Sequence, residues 1–258
     1  MSAGKLYTYP KAPRSTMVVF VAKYNKLDVE ICNVFPIKVY PEKGGVGEEY
    51  LSKFHTGKVP AFETSDGFCV YESNAVAWYR ECIRTCPALN SSTARKLCLT
   101  SWFRHQVAKQ DPNTKLCGSN IREETTVLRW ASFTNYELLP PIMAWIQPVI
   151  GRAPSSPEIL ARAEESCELT VRAIEKEIKD KEFLVGGTLT LADLFVVSGL
   201  ARGYQYVFTK SWAEKHPIVH EYYMRIRNDK DGIFDSILGP CAIRDEPGGT
   251  YPDYDGLN

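Results

Sequence analysis

The chain has 258 residues, 44% hydrophobic and 24% charged, enough for one large domain or two small ones around a sizeable core. Thirty-one basic residues balance thirty-one acidic ones, so no electrostatic footprint points to nucleic acid or an anionic membrane. The longest apolar run, Met17 to Ala22, is far too short to span a bilayer, the amino terminus lacks the regions of a signal peptide, and the chain reads as cytoplasmic.

Eight cysteines and four histidines show neither a CxxC pair nor zinc-ligand spacing. The expectation is no metal site and free, buried thiols in a reducing compartment.

Lys5 to Tyr9 is a short β-prone run. From Arg14 to Tyr24, apolar residues at Met17, Val18, Phe20, Val21 and Tyr24 recur at helical spacing, and Asp28 to Cys32 is β-prone again. A β-α-β opening implies a parallel pair joined by a crossover helix. "PEKGGVGEE" is a loop and Glu48 to Phe54 a short helix. Val59 to Glu63 and Phe68 to Tyr71 are strands joined at Asp66-Gly67, a strong hairpin signal. Ser73 opens a helix to about Tyr79, which completes a small α/β domain.

Beyond that point the pattern is helical. Leu160, Ala163, Cys167, Val171, Ile174 and Ile178 form one apolar stripe. The run "TLTLADLFVVSGLARGYQYVF" carries apolar residues on more than one face, which predicts a buried central helix. Thr190 and Asp193 at its start suit a reciprocal cap, so Asp193 reads as structural rather than catalytic. A last helix is entered through Pro217, and the tail from Gly239 is expected to be extended or loose.

The chemistry-bearing stretch is "GKVPAFETSDGFCVYESN". An X-Pro bond tolerates cis, and a cis Val59-Pro60 bond at a strand entrance would turn the Val59 backbone toward a ligand lying alongside as an added strand. Glu72 and Ser73 stand where a helix begins. The free amides and positive dipole end there suit a carboxylate, the Ser73 hydroxyl can donate to it, and Glu72 can receive an ammonium. A tight turn followed by an N-cap serine is the structural alternative.

This order of elements, with Val-Pro and Glu-Ser in place, resembles cytosolic glutathione transferases: a thioredoxin-like α/β domain followed by an all-α domain. "GKLYTYP", "KVPAFE", "DGFCVYESNAVAWY", "RWASFTNYELLPP" and "FLVGGTLTLADLFVV" are similar to the elongation factor 1B gamma-type branch, a likeness that runs to about residue 235. The resemblance implies a glutathione transferase whose substrate, glutathione, is bound by Lys58, Val59, Pro60, Glu72 and Ser73. It also implies an electrophilic small-molecule partner and a homodimer, with an acceptor pocket between the domains near Tyr7, Thr8 and Tyr136. The domain bounds expected are 1–82, an insert or linker at 83–112, a helical domain at 113–238 and a tail at 239–258.

Three departures from the pattern carry further expectations. The gamma subunit continues through a Lys-rich linker and this chain stops after "DYDGLN", so it is similar to free-standing fungal proteins of secondary-metabolite clusters. The alternative is a non-catalytic interaction module. Second, Lys11, Ala12 and Pro13 fill the loop where the family often has its serine, which leaves Tyr7, Thr8, Arg14 and Ser15 as candidates for activating the thiol. Tyr7 and Tyr9 alternate onto the face opposite Thr8. Third, residues 80–106 hold three of the eight cysteines and have no counterpart in the family pattern. They read as a retained intron, with a genuine surface loop as the alternative; sequencing spliced transcript across Tyr79 decides between the two.

Overall fold

The computed structural model describes residues 3–36, 44–85, 115–228 and 231–249. The amino-terminal unit runs β1 (Gly4–Thr8), α1 (Thr16–Tyr24), β2 (Glu30–Asn33), α2 (Glu48–Lys53), β3 (Ala61–Thr64), β4 (Cys69–Tyr71) and α3 (Ser73–Thr85). Its sheet has the order β2-β1-β3-β4, with β1 parallel to β2 and antiparallel to β3, and β3 antiparallel to β4. Side chains alternate across the sheet. Leu6 and Phe62, both fully buried, join a core cluster with Met17 of α1 and Val76 of α3. Tyr7 and Ala61 go to the other face, against Tyr50 and Phe54 of α2 and its end.

The hairpin forms as the Asp-Gly pair predicts. The Phe68 amide donates to Thr64 Oγ1 at 2.9 Å and the Gly67 amide to the Thr64 carbonyl at 2.9 Å. Gly67 takes a φ of 85°, which glycine adopts without a Cβ penalty. The third strand starts at Ala61 rather than Val59, because Pro60 has no amide for the ladder; the Val59-Pro60 bond is cis. Helix α3 runs past Tyr79 to Thr85, six residues into the segment read as an insert; residues 86–106 lie outside the described residues.

The helical unit comprises α4 (Ile121–Phe133), a π-helical turn (Thr134–Leu138), α5 (Leu139–Val149), α6 (Pro157–Ile178), α7 (Leu191–Tyr206), α8 (Lys210–Lys215), α9 (Pro217–Arg227) and α10 (Ile233–Leu238). The expected stripe on α6 faces inward, with Ala163, Cys167, Val171, Ile174 and Ile178 buried. Every residue of α7 except Gln205 is buried. The same core continues from α1 of the first unit into α7 of the second, so the two units share one apolar interior.

Asp193 caps α7 as expected. Its carboxylate accepts from the amides of Leu184 and Thr190, each at 2.9 Å, from Thr190 Oγ1 at 3.0 Å and from Tyr222 Oη at 2.9 Å. Burial pushes the carboxyl above its ordinary range, against these four donors, which favour the charged form.

Several expectations need correction. The helix entered through Pro217 is not the last: "SWAEK" belongs to the separate α8, which ends before His216 and Pro217, and α10 follows α9. Over the described residues the tail is strapped rather than loose. The Lys210 amide donates to the Arg244 carbonyl at 2.9 Å and the Gly248 amide to the Tyr206 carbonyl at 2.8 Å. Among the described residues the cysteines form no disulfide with one another, but Cys32, Cys69 and Cys241 are only half-buried, beside the buried Cys117 and Cys167.

Candidate functional site

The register brings three chain segments to one end of the sheet. Tyr7 pairs with Ala61, and Ala61 pairs with Tyr71. Thr8 and Tyr9 at the exit of β1, Val59-Pro60 at the entrance of β3, and Glu72-Ser73 after β4 are therefore neighbours. Val59 packs on Tyr9 and Ala12, which ties the β1–α1 loop to the same edge. No hydrogen bond from a described residue reaches the amide or carbonyl of Val59. An extended ligand can take both groups. The Lys58 carbonyl is already engaged, accepting from Tyr50 Oη at 2.6 Å, and its side chain is exposed.

Glu72 is exposed and holds a φ of 72°. For a residue with a Cβ this left-handed conformation is uncommon and persists where surrounding structure enforces it. It turns the chain from β4 into α3, whose first intrahelical bond runs from the Val76 amide to the Glu72 carbonyl at 2.9 Å. The amides at the mouth of α3 precede that bond and have no helical acceptor.

Ser73 is buried, and its Oγ accepts from Asn135 Nδ2 at 3.1 Å; the same nitrogen donates to Asn74 Oδ1 at 2.6 Å. The Ser73 hydroxyl proton is thus available to donate elsewhere. Asn135 comes from the π-helical turn of the other unit. Pro140 and Pro141 lack the amides that would bond to the carbonyls of Tyr136 and Glu137, and the helix widens there into a π turn of the kind often found at functional sites. Asn135 was legible only as part of a helical run; the proline pair after it was the available signal.

The four thiol-activating candidates are not brought together. Tyr7 lies on the α2 face and donates to Glu63 Oε2 at 2.8 Å; burial, then the Glu63 bond, push its hydroxyl well above the ordinary range. Thr8 is buried and donates to the Tyr9 carbonyl at 3.3 Å. Arg14 is exposed just before α1. Ser15 is buried at the α1 N-cap, and its Oγ has no partner among the described residues. Tyr136 is 72% exposed and lines no described pocket.

A cavity of about 350 Å³ lies between the β1–α1 loop, represented by Lys11, and the carboxy-terminal ends of α7 and α9, with residues 240–244 along its rim. A groove of about 700 Å³ beside α6, lined by Glu164, Glu165, Glu168 and Glu175, shares no lining residue with this edge. Among the described residues no cluster of three or more metal-ligating side chains occurs, and no helix is long and apolar enough to cross a membrane.

Comparison with known proteins gives two family matches: the glutathione S-transferase N-terminal domain over residues 2–80 and the C-terminal domain over residues 135–229. Glutathione S-transferase AN1595 of Emericella nidulans is 30% identical over 225 residues, 87% of this chain and 72% of that protein. Elongation factor 1-gamma of Artemia salina is 30% identical over 252 residues, and the chain spans half of that protein's length. The GST-like domain of elongation factor 1-gamma from Saccharomyces cerevisiae superposes with a TM-score of 0.71 at 22% identity, over 98% of this chain and all of that one. The transferase URE2P6 of Phanerochaete chrysosporium, solved with oxidized glutathione, also gives 0.71, at 19% identity over 92% of this chain and 94% of that one.

Proposed function

The chain belongs to the glutathione S-transferase family, and on that premise we propose that it binds glutathione and delivers its sulfur to a small electrophile. The Val59 backbone pairs with the cysteinyl unit as an added strand, with Lys58 and Pro60 at its flanks. Ser73 Oγ–H and the amides at the mouth of α3 hold the γ-glutamyl carboxylate, and Glu72 receives the ammonium. The observation that supports this reading is the Asn135–Ser73 bond, in which the serine oxygen accepts and its proton is left for another partner.

Of the thiol-activating candidates, Ser15 and Arg14 fit best. Tyr7 and Thr8 spend their protons on Glu63 and the Tyr9 carbonyl, whereas the Ser15 hydroxyl is unpartnered at the start of a nine-residue helix. A hydroxyl donor, the helix dipole and the Arg14 charge all favour thiolate over thiol. The thiol proton passes to solvent and the thiolate attacks the electrophilic carbon. With an aryl halide the C–S bond forms and the halide leaves with its bonding pair. With an activated double bond the displaced pair is protonated, or returns to expel the thiolate after isomerisation. The acceptor sits in the cavity beside Lys11. We extend the proposal to an electrophilic intermediate of secondary metabolism, with the protein cytoplasmic and homodimeric; what the fungal relative supports is the transferase activity that its name carries.

The likeness to elongation factor 1-gamma over 98% of the chain favours a second reading, a non-catalytic interaction module. Glutathione-agarose retention followed by an aryl halide assay separates the two. Retention with turnover supports the transferase; no retention and no turnover supports the module.

A further inference from the structure

The cavity beside Lys11 is cationic. Lys11, Arg227 and Arg244 line it together with Tyr204, Tyr206 and Tyr223, and none of its described lining residues is acidic. Arg227 is the unusual member. Its side chain is 2% exposed, and Nη2 is used internally, donating to the Gly239 carbonyl and pairing with Asp235 Oδ1 at 2.9 Å. Nε and Nη1 are buried without a partner among the described residues. Buried donors on a charged group cost free energy when left unpaired, and folded proteins rarely leave two on one side chain. Asp235 is half-exposed, so solvent weakens its compensation of the buried charge.

The rest of the lining limits what can satisfy those donors. Tyr204 stacks on Tyr223 with ring centroids 4.1 Å apart, and Leu238, Pro240 and Ala242 add apolar surface. About 350 Å³ is the lower end of the range for small-molecule sites. Lys11 reaches the cavity from a loop held at a φ of 55°, one residue before Ala12, which packs on Val59. Lys11 thus joins the rim of the cavity to the loop that packs on Val59.

We infer that this cavity selects a small aromatic carboxylate: Arg227, helped by Lys11 and Arg244, takes the carboxylate, and the tyrosine and aliphatic wall takes the ring. This inference rests on reading the cavity as the acceptor site, and it names the acceptor's class.

The test is calorimetric binding of 3,5-dinitrobenzoate against 3,5-dinitrobenzamide, without glutathione, to the full chain. The acid is expected to bind at least tenfold more tightly, about 1.4 kcal/mol. The preference should fall with added salt and shrink to within about threefold in Arg227→Lys, whose ammonium lacks the guanidinium's spread of donors. Lys11→Met and Arg244→Met, both at exposed positions, should each reduce it severalfold. They carry the test alone if circular dichroism shows Arg227→Lys unfolded. Equal affinity for acid and amide, or a preference unmoved by the folded variants, overturns the inference. Carboxylate preference in a chain that glutathione-agarose does not retain leaves the anion site standing and removes the transferase reading; retention with equal acid and amide affinity does the reverse.

Discussion

Asn135 Nδ2 donates to Ser73 Oγ at 3.1 Å across the boundary between the α/β and helical units. The bond occupies the serine oxygen as an acceptor and leaves its proton for another partner, so on the proposed reading glutathione affinity should depend on a residue that does not touch the ligand. Ser73→Ala removes a donor to a carboxylate, worth about 1.5–3 kcal/mol, and should weaken glutathione binding roughly 10- to 100-fold. Asn135→Ala frees the Ser73 hydroxyl to rotate and should cost several-fold. Calorimetry reads both, and unchanged affinity in Ser73→Ala with an intact fold removes the site as drawn.

Ser15 and Arg14 make a separable prediction. Ser15→Ala should leave glutathione affinity unchanged, lower kcat by roughly 10- to 100-fold, within the range of hydroxyl and acid–base assistance, and move the pH–rate profile to the alkaline side. Arg14→Ala should do the same more weakly, because its exposed charge is screened. A purely structural Ser15 gives another signature. Removing a buried, unpartnered hydroxyl would then leave the rate and its pH profile untouched and the melting temperature equal or higher.

The features legible in the sequence were those carried by local chemistry. Asp66-Gly67 announced its turn, the stripe from Ala163 to Ile178 announced α6, and Thr190 with Asp193 announced a cap, because each depends on residues within a few positions. The edge itself was legible through Val59-Pro60 and Glu72-Ser73. What the sequence did not disclose depends on distant pairing. Nothing local to Tyr7 says that its hydroxyl goes to Glu63, 56 positions away, or local to Ser73 that Asn135, 62 positions away, donates to it. The strapped tail is likewise tertiary: residues 244–248 are held by the ends of α7 and α8, not by their own propensity.

Gly203 shows how tightly α7 is placed. A Cβ there would fall 2.2 Å from the ring of Phe208, which is itself stacked on Trp212 with centroids 3.7 Å apart. The ring has nowhere to retreat without disturbing that stack, so Gly203→Ala overpacks a core site despite the better helix propensity of alanine. The expected loss is about 1–3 kcal/mol, or roughly 3–10 °C in Tm for a chain of this size, measured by a thermal melt. An unchanged Tm would mean that α7 and α8 can slide apart cheaply.

The Tyr7–Glu63 pair makes the pH prediction. The Tyr7 hydroxyl bond, with Lys53 Nζ at 3.1 Å adding to it, holds the Glu63 carboxyl below its ordinary value of 4.5. A carboxyl depressed in the folded state contributes stability that is present above the unfolded value and is lost as pH falls through the folded one. Tyr7→Phe removes the larger cause of that depression, so part of the contribution should already be missing at pH 7. Melting temperature against pH should therefore lie lower in the variant at neutral pH and converge with the parent only once the pH has fallen below the depressed folded value of Glu63, where the carboxyl is protonated in both proteins. Because Tyr7 faces α2, away from the α1 side of the sheet, aryl halide turnover at neutral pH should survive in the folded variant. A large loss of kcat with an unaltered acid limb would return Tyr7 to the chemistry and remove it from the structural network.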